Sequence, residues 1–132
     1  MITGGCLCGR VRYQTSGVPT HPTLCHCATC RRASGAHVLG WVSFPKSEFR
    51  YTSALPAEFR STARVVRSFC QECGTALTYW NEEWPDDIDV TIGSLDAPDA
   101  LPPADHTWMS DAVPWDKPAD GLPQFRRSRV QS

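Results

Sequence analysis

The sequence predicts a mainly β domain built from short antiparallel strands, and three observations lead there. Segments that alternate polar and apolar residues recur at roughly ten-residue spacing, as in all-β sandwiches and barrel-like sheets. No apolar pattern of helical period persists long enough for a substantial helix. Seven cysteines fall into three tight groups, Cys6/Cys8, Cys25/Cys27/Cys30 and Cys70/Cys73. Such clustering suits metal ligation better than scattered core positions.

Taken in order, Gly9 to Thr15 alternates, with Val11 and Tyr13 on one face, and reads as a half-buried strand. Pro19 and Pro22 punctuate a loop that delivers the chain to Cys25. Ala28 to Ser34 can form two helical turns, with Gly35 suited to end them. Cys27 then lies near a helix N-terminus, where backbone N–H groups favour a thiolate. Further strands are expected at Val38–Val42, Glu48–Thr52, Glu58–Ser61, Arg64–Phe69, Ala76–Trp80 and Ile88–Ile92. From Leu95 the chain turns rich in proline and aspartate, yet it keeps Leu101, His106, Trp108, Trp115, Leu122 and Phe125. An irregular segment that wraps back over the sheet and covers a metal site is expected. Trp41, Trp80, Trp84, Trp108 and Trp115 are expected to fill the core, with one walling the pocket.

The 132 residues fit one domain, expected over 1–125, followed by a flexible basic tail at 126–132. A net charge of −1 and a pI near 6.4 give no global field for nucleic acid or acidic lipid. With the first cysteine pair so close to the opening Met1-Ile2-Thr3-Gly4-Gly5-Cys6, no signal peptide is expected. The longest mostly apolar run, Ala36 to Val42, is too short to cross a bilayer. A cytoplasmic protein with no nucleic-acid or membrane partner is therefore expected. An odd cysteine count in that setting argues against a disulfide framework.

Cys6, Cys8, Cys70 and Cys73 supply four thiolates, the number that closes a tetrahedral structural zinc site. Cys70-Gln71-Glu72-Cys73-Gly74 has the form of a zinc knuckle, with Gly74 permitting the tight turn after the second ligand. Cys25, Cys27 and Cys30 supply three thiolates and leave a fourth position for water or substrate, as in a catalytic zinc site. The alternatives for this inner group are a second structural metal completed by a distant histidine, or metal-free reduced thiols. Three thiolates make zinc a weak Lewis acid, better suited to holding a soft substrate thiolate than to activating water. That points to carbon–sulfur chemistry rather than hydrolysis, at a site open to metal loss and oxidation. His26 alternates away from its cysteine neighbours and is expected to hydrogen-bond nearby rather than to bind metal. Arg31 and Arg32 are candidates to clamp a substrate carboxylate, and His106 to contact substrate.

The order Gly5-Cys6-x-Cys8-Gly9-x-Val11-x-Tyr13, then Cys25-His26-Cys27-x-x-Cys30-Arg31, then Phe69-Cys70-x-x-Cys73-Gly74 resembles the glutathione-dependent formaldehyde-activating enzymes. The likeness continues through Gly93-Ser94-Leu95-Asp96, His106 and Pro114-Trp115, and it is similar to the centromere protein V group. The resemblance implies a β-tent-like fold of small antiparallel sheets around a structural zinc. It implies the structural role for Cys6, Cys8, Cys70 and Cys73 and the catalytic role for Cys25, Cys27 and Cys30. It also implies condensation of formaldehyde with glutathione to S-hydroxymethylglutathione, a carbon–sulfur lyase activity. The expectation is a lyase or synthase with two zinc sites, acting on a glutathione-like thiol and an aldehyde such as formaldehyde. The alternative is a non-catalytic zinc-stabilised domain that binds a thiol compound or a protein partner.

Overall fold

A computed structural model describes residues 1–129. Among them, strands β1 (Ile2–Gly5), β2 (Arg12–Thr15) and β5 (Phe49–Tyr51) form a small antiparallel sheet in the order β1-β2-β5. The larger sheet is built from β3 (Thr20–Cys25), β4 (Leu39–Pro45), β6 (Ala57–Thr62), β7 (Val65–Phe69), β8 (Ala76–Asn81), β9 (Asp87–Thr91) and β10 (Asp105–Thr107). Its order is β10-β3-β4-β9-β8-β7-β6, antiparallel except for the parallel pair β10–β3. Helix α1 (Ala28–Ser34) has the expected bounds, with Cys27 as its N-cap and Gly35 closing it at φ +76°. No helix among the described residues is long and apolar enough to cross a membrane.

Period-two alternation divides the large sheet into two functional faces. Val42 pairs with Val90 and Phe44 with Ile88, and these four side chains enter the main core together with Val11, Tyr13, Leu77 and Leu95. The intervening residues pair as Thr23–Trp41, Tyr79–Asp89 and Arg67–Tyr79, and they turn to the opposite side. Cys25 and Thr107, paired with each other across β3 and β10, share that second face. The strand pattern that builds the core thus also fixes which residues surround the inner cysteines.

Three strands were not expected, each for a local reason. In β3, Pro22 occupies a break in register between Thr20 and Thr23, and His21 there has φ +53°. The loop signals are real, but they mark a bulge within a strand. β10 has only three residues, all buried, so it carries no alternation to read. β1, Ile-Thr-Gly-Gly, is nearly bare of apolar side chains. One further expectation is corrected. Trp84 and Trp115 are 63% and 72% exposed, so they do not fill the core. Within the stretch expected to be a flexible tail, Arg127 O accepts from Trp108 N–H (3.0 Å), Arg126 O accepts from Ser110 N–H (3.1 Å), and Arg129 pairs with Asp105 (2.6 Å). The rest of that expected tail, residues 130–132, lies outside the described residues.

The small sheet is stitched to the large one through the segment after β9. Asp96 receives Arg12 and the hydroxyl of Thr3 (2.6 Å), and its N–H donates to Thr3 O (3.0 Å). Tyr13 Oη meets Ser94 Oγ at 2.6 Å in the core, where burial pushes the phenol up to about 12. Gly4 crosses this seam so closely that a Cβ would stand 2.3 Å from Tyr13 Oη and 2.5 Å from Ser94 O. Because one of those neighbours is backbone, it cannot rotate away. We expect Gly4→Ala to destabilise the domain by about 1–3 kcal/mol, the usual range for an overpacked site. An unchanged thermal midpoint would contradict this seam.

Candidate metal centres and active-site cavity

The outer cysteine group is made from two turns of similar design. Gly9 N–H donates to Cys6 O (3.1 Å), and Gly74 N–H donates to Cys70 O (2.8 Å). Each glycine follows the second cysteine of its pair, and each has φ +80°, a conformation costly for any residue with a Cβ. Val11 N–H donates to Cys6 Sγ (3.3 Å). Thr75 links the two turns: its Oγ1 accepts from Leu7 N–H (3.1 Å) and lies 3.4 Å from Cys73 Sγ. The Thr75 hydroxyl, and then its backbone, hold the Cys73 thiol down at about 5. Sulfur–sulfur distances are 3.6 Å for Cys6–Cys8 and 3.8 Å for Cys8–Cys70, and all four sulfurs lie within 4.8 Å of one another. A tetrahedron with zinc–sulfur bonds of about 2.3 Å has an edge of about 3.8 Å. The four residues fit such an ion closely.

The inner group is delivered by the end of β3 and the start of α1. Cys25 is the last residue of β3, Cys27 caps the helix by accepting from Cys30 N–H (3.2 Å), and Cys30 lies one turn in. Their sulfurs also lie within 4.8 Å of one another, and no histidine, carboxylate or further cysteine among the described residues joins them. Cys25 and Cys30 are buried and Cys27 is half-buried. The Cys25 and Cys27 thiols, and then Arg67, hold Cys30 down at about 2, whereas neighbouring Cys27 and Cys30 push Cys25 up. Three thiolates this close repel one another, and a divalent cation is what allows all three to ionise together. The donor set fits a thiophilic metal with one coordination position left over.

That position adjoins a cavity of about 380 Å³, lined by the three cysteines, Trp41, Arg67, Tyr79, Asp89 and Trp108 among others. The proline-rich segment supplies one wall through Thr107, Trp108, Asp111 and Arg129, as the wrapping expectation requires. Trp108 holds φ +58° there, and Asp111 accepts from Ala28 N–H (3.2 Å) at the helix start. Trp41 Nε1 is buried with no acceptor among the described residues, a donor that a bound ligand can satisfy. A second cavity of about 470 Å³ shares Thr29, Trp41, Ser61 and Arg67 with the first.

The remaining expected site residues fall differently. His106 does not line the cavity. Alternation along β10 turns it away from Thr107, and it is buried with Nδ1 2.9 Å from His26 Nε2 and Nε2 2.8 Å from Asp120. The residue expected to contact substrate thus borders neither cavity. His26 lies outside the sulfur cluster, as expected, and burial lowers its proton affinity. Arg31 lines neither cavity and donates to Asp111 O (3.4 Å), whereas Arg32 borders the second cavity. Arg67 was missed. Its signal was faint: a charged residue in phase with Val65 on a strand, at a position where alternation calls for burial.

Structural zinc binding contributes about 10–16 kcal/mol in small metal domains, comparable to the ~5–15 kcal/mol that holds a whole domain folded. Cys73→Ser is therefore expected to abolish the cooperative thermal transition and the near-UV circular dichroism. A folded variant with an unchanged midpoint would contradict a structural role for this group.

Comparison with known proteins agrees with this geometry. The family model for the glutathione-dependent formaldehyde-activating enzyme matches residues 1–111, a span that includes both cysteine groups. A Halomonas elongata protein, provisionally named a glutathione-dependent formaldehyde-activating enzyme, is 25% identical over 126 residues, covering 87% of this chain and 79% of its own length. A crystal structure of a Rhodobacter sphaeroides protein matches with a TM-score of 0.62 at 17% identity, covering 93% of this chain and 98% of the other. At that identity the likeness concerns the fold alone. With a family match over most of its length, the chain belongs to the glutathione-dependent formaldehyde-activating enzyme family.

Proposed function

We propose that the protein joins a small thiol, glutathione or a relative of it, to an aldehyde such as formaldehyde, and runs the same step in reverse. The observation that carries this reading is a three-sulfur group with no fourth protein ligand among the described residues, opening onto a cavity of about 380 Å³. A zinc ion held by Cys25, Cys27 and Cys30 would supply a weak Lewis acid that lowers the pKa of a substrate thiol at its open position. In the reaction a sulfur–carbon bond forms, the carbonyl π bond breaks, and the proton lost by sulfur ends on the aldehyde oxygen. No oxidant or reductant is needed. The second family-implied group, Cys6, Cys8, Cys70 and Cys73, is the structural zinc site in this reading.

The chain's own contribution is to hold the partners at reacting distance and to limit water around them. Trp41, Tyr79 and Trp108 give the cavity apolar walls around the sulfurs. A thiol larger than its reacting end would extend past Arg67 into the second cavity, where Arg32 can meet a carboxylate. Arg31, tied to Asp111, has a weaker claim to that role.

Cys27→Ser is the cleanest test, because serine is itself a favoured N-cap and preserves the helix start that Cys27 now provides. The variant is expected to keep its thermal midpoint and its outer metal. Catalysed exchange between free glutathione and its hydroxymethyl adduct, followed by exchange NMR, should fall to the uncatalysed rate. Exchange at the wild-type rate would rule out the inner group as the active site. Stoichiometric thiol binding without exchange in the wild type would favour a binding domain instead.

A further inference from the structure

Arg67 is a buried arginine, 9% exposed, whose guanidinium directs Nη1 and Nη2 at Cys30 Sγ, each at 3.7 Å. Its Nε donates to Ser61 Oγ (3.3 Å), and its Cζ lies 5.0 Å from the Tyr79 ring centre. Among the described residues it forms no ion pair with a carboxylate. A buried charge needs a counter-charge, and here the counter-charge is sulfur. The other charged groups around the cavity do not replace it: Arg129 is paired with Asp105, and Asp89 and Asp111 carry the opposite sign.

We propose that Arg67 is a positioning residue that sets the charge balance of the inner centre, so that its open position accepts an anionic sulfur. The inference rests on the metal-centred reading above. Three thiolates around a divalent ion leave one net negative charge, which repels a fourth thiolate in a site shielded from water. Arg67 cancels that charge before the substrate arrives. A neutral donor entering the same position gains nothing from it. Arg67 therefore favours thiolate over water or an amine, which makes it a determinant of specificity for this chemistry. Its fork, braced by Tyr79 and Ser61, also fixes where Cys30 points.

The test uses the full chain loaded with cobalt(II), whose sulfur-to-metal absorption reports each added thiolate. The probes are 2-mercaptoethanol, which carries no carboxylate, and imidazole as a neutral donor. Wild-type protein should bind both. Arg67→Met should weaken 2-mercaptoethanol binding about tenfold, equivalent to 1.4 kcal/mol, and leave imidazole binding unchanged. Arg67→Lys should restore thiol binding to within about threefold of wild type, on the same scale. Loss of inner metal in Arg67→Met that Arg67→Lys restores supports the same charge role. Arg67→Gln serves as a second neutral variant, and retention of the outer metal shows that each variant is folded. Equal weakening of both probes, failure of the lysine to rescue, or no effect in the neutral variants would overturn the inference. Wild-type protein that takes up no thiol at the inner centre would overturn the metal-centred reading, and this inference with it.

Discussion

Four sulfur atoms from two distant turns must come within 4.8 Å of one another before the rest of this structure makes sense. The outer clasp brings the loop between β1 and β2 against the turn between β7 and β8. It thereby fixes the small sheet against the larger one. Cys6 and Cys70 are part of the main core, alongside Val11, Tyr13, Leu77 and Leu95. In a chain of 132 residues, that core is modest for two sheets. A metal held by the four outer sulfurs would supply the remaining constraint without a large apolar interior.

Once the sheets are held, strand alternation does the rest. The face of β4 and β9 that carries Val42, Phe44, Ile88 and Val90 closes the core. The other face is left to carry Trp41 and Asp89, with Cys25, Tyr79 and Arg67 from neighbouring strands. The inner cysteines are thus a consequence of the register of a sheet that the outer cysteines help to hold. The two groups differ by one sulfur.

Much of this was legible because cysteine spacing is a short-range signal with a strict geometric meaning. The four-plus-three division, the glycine after Cys73, the helix cap at Cys27 and seven of the strands could be read from residues near one another in sequence. What escaped was non-local. β10 exists because three residues pair in parallel with β3 across more than eighty positions, and no local pattern announces that. His106 looked available because it is a lone histidine in a proline-rich stretch. Its placement depends on which way alternation along β10 turns it, and that requires the pairing to be known. Arg67 was hidden for the same reason. Its partner Cys30 lies on another element, and only the folded chain shows that its charge faces sulfur rather than solvent.

The central claim is that the chain holds two metal centres of different kinds, one closed and one open. Metal content per chain, measured on protein prepared without oxygen, tests it most directly. The account predicts about two zinc ions per chain, one for each sulfur group. About one ion per chain, with three cysteines left freely titratable, would mean that Cys25, Cys27 and Cys30 hold no metal, and would contradict the account at its centre.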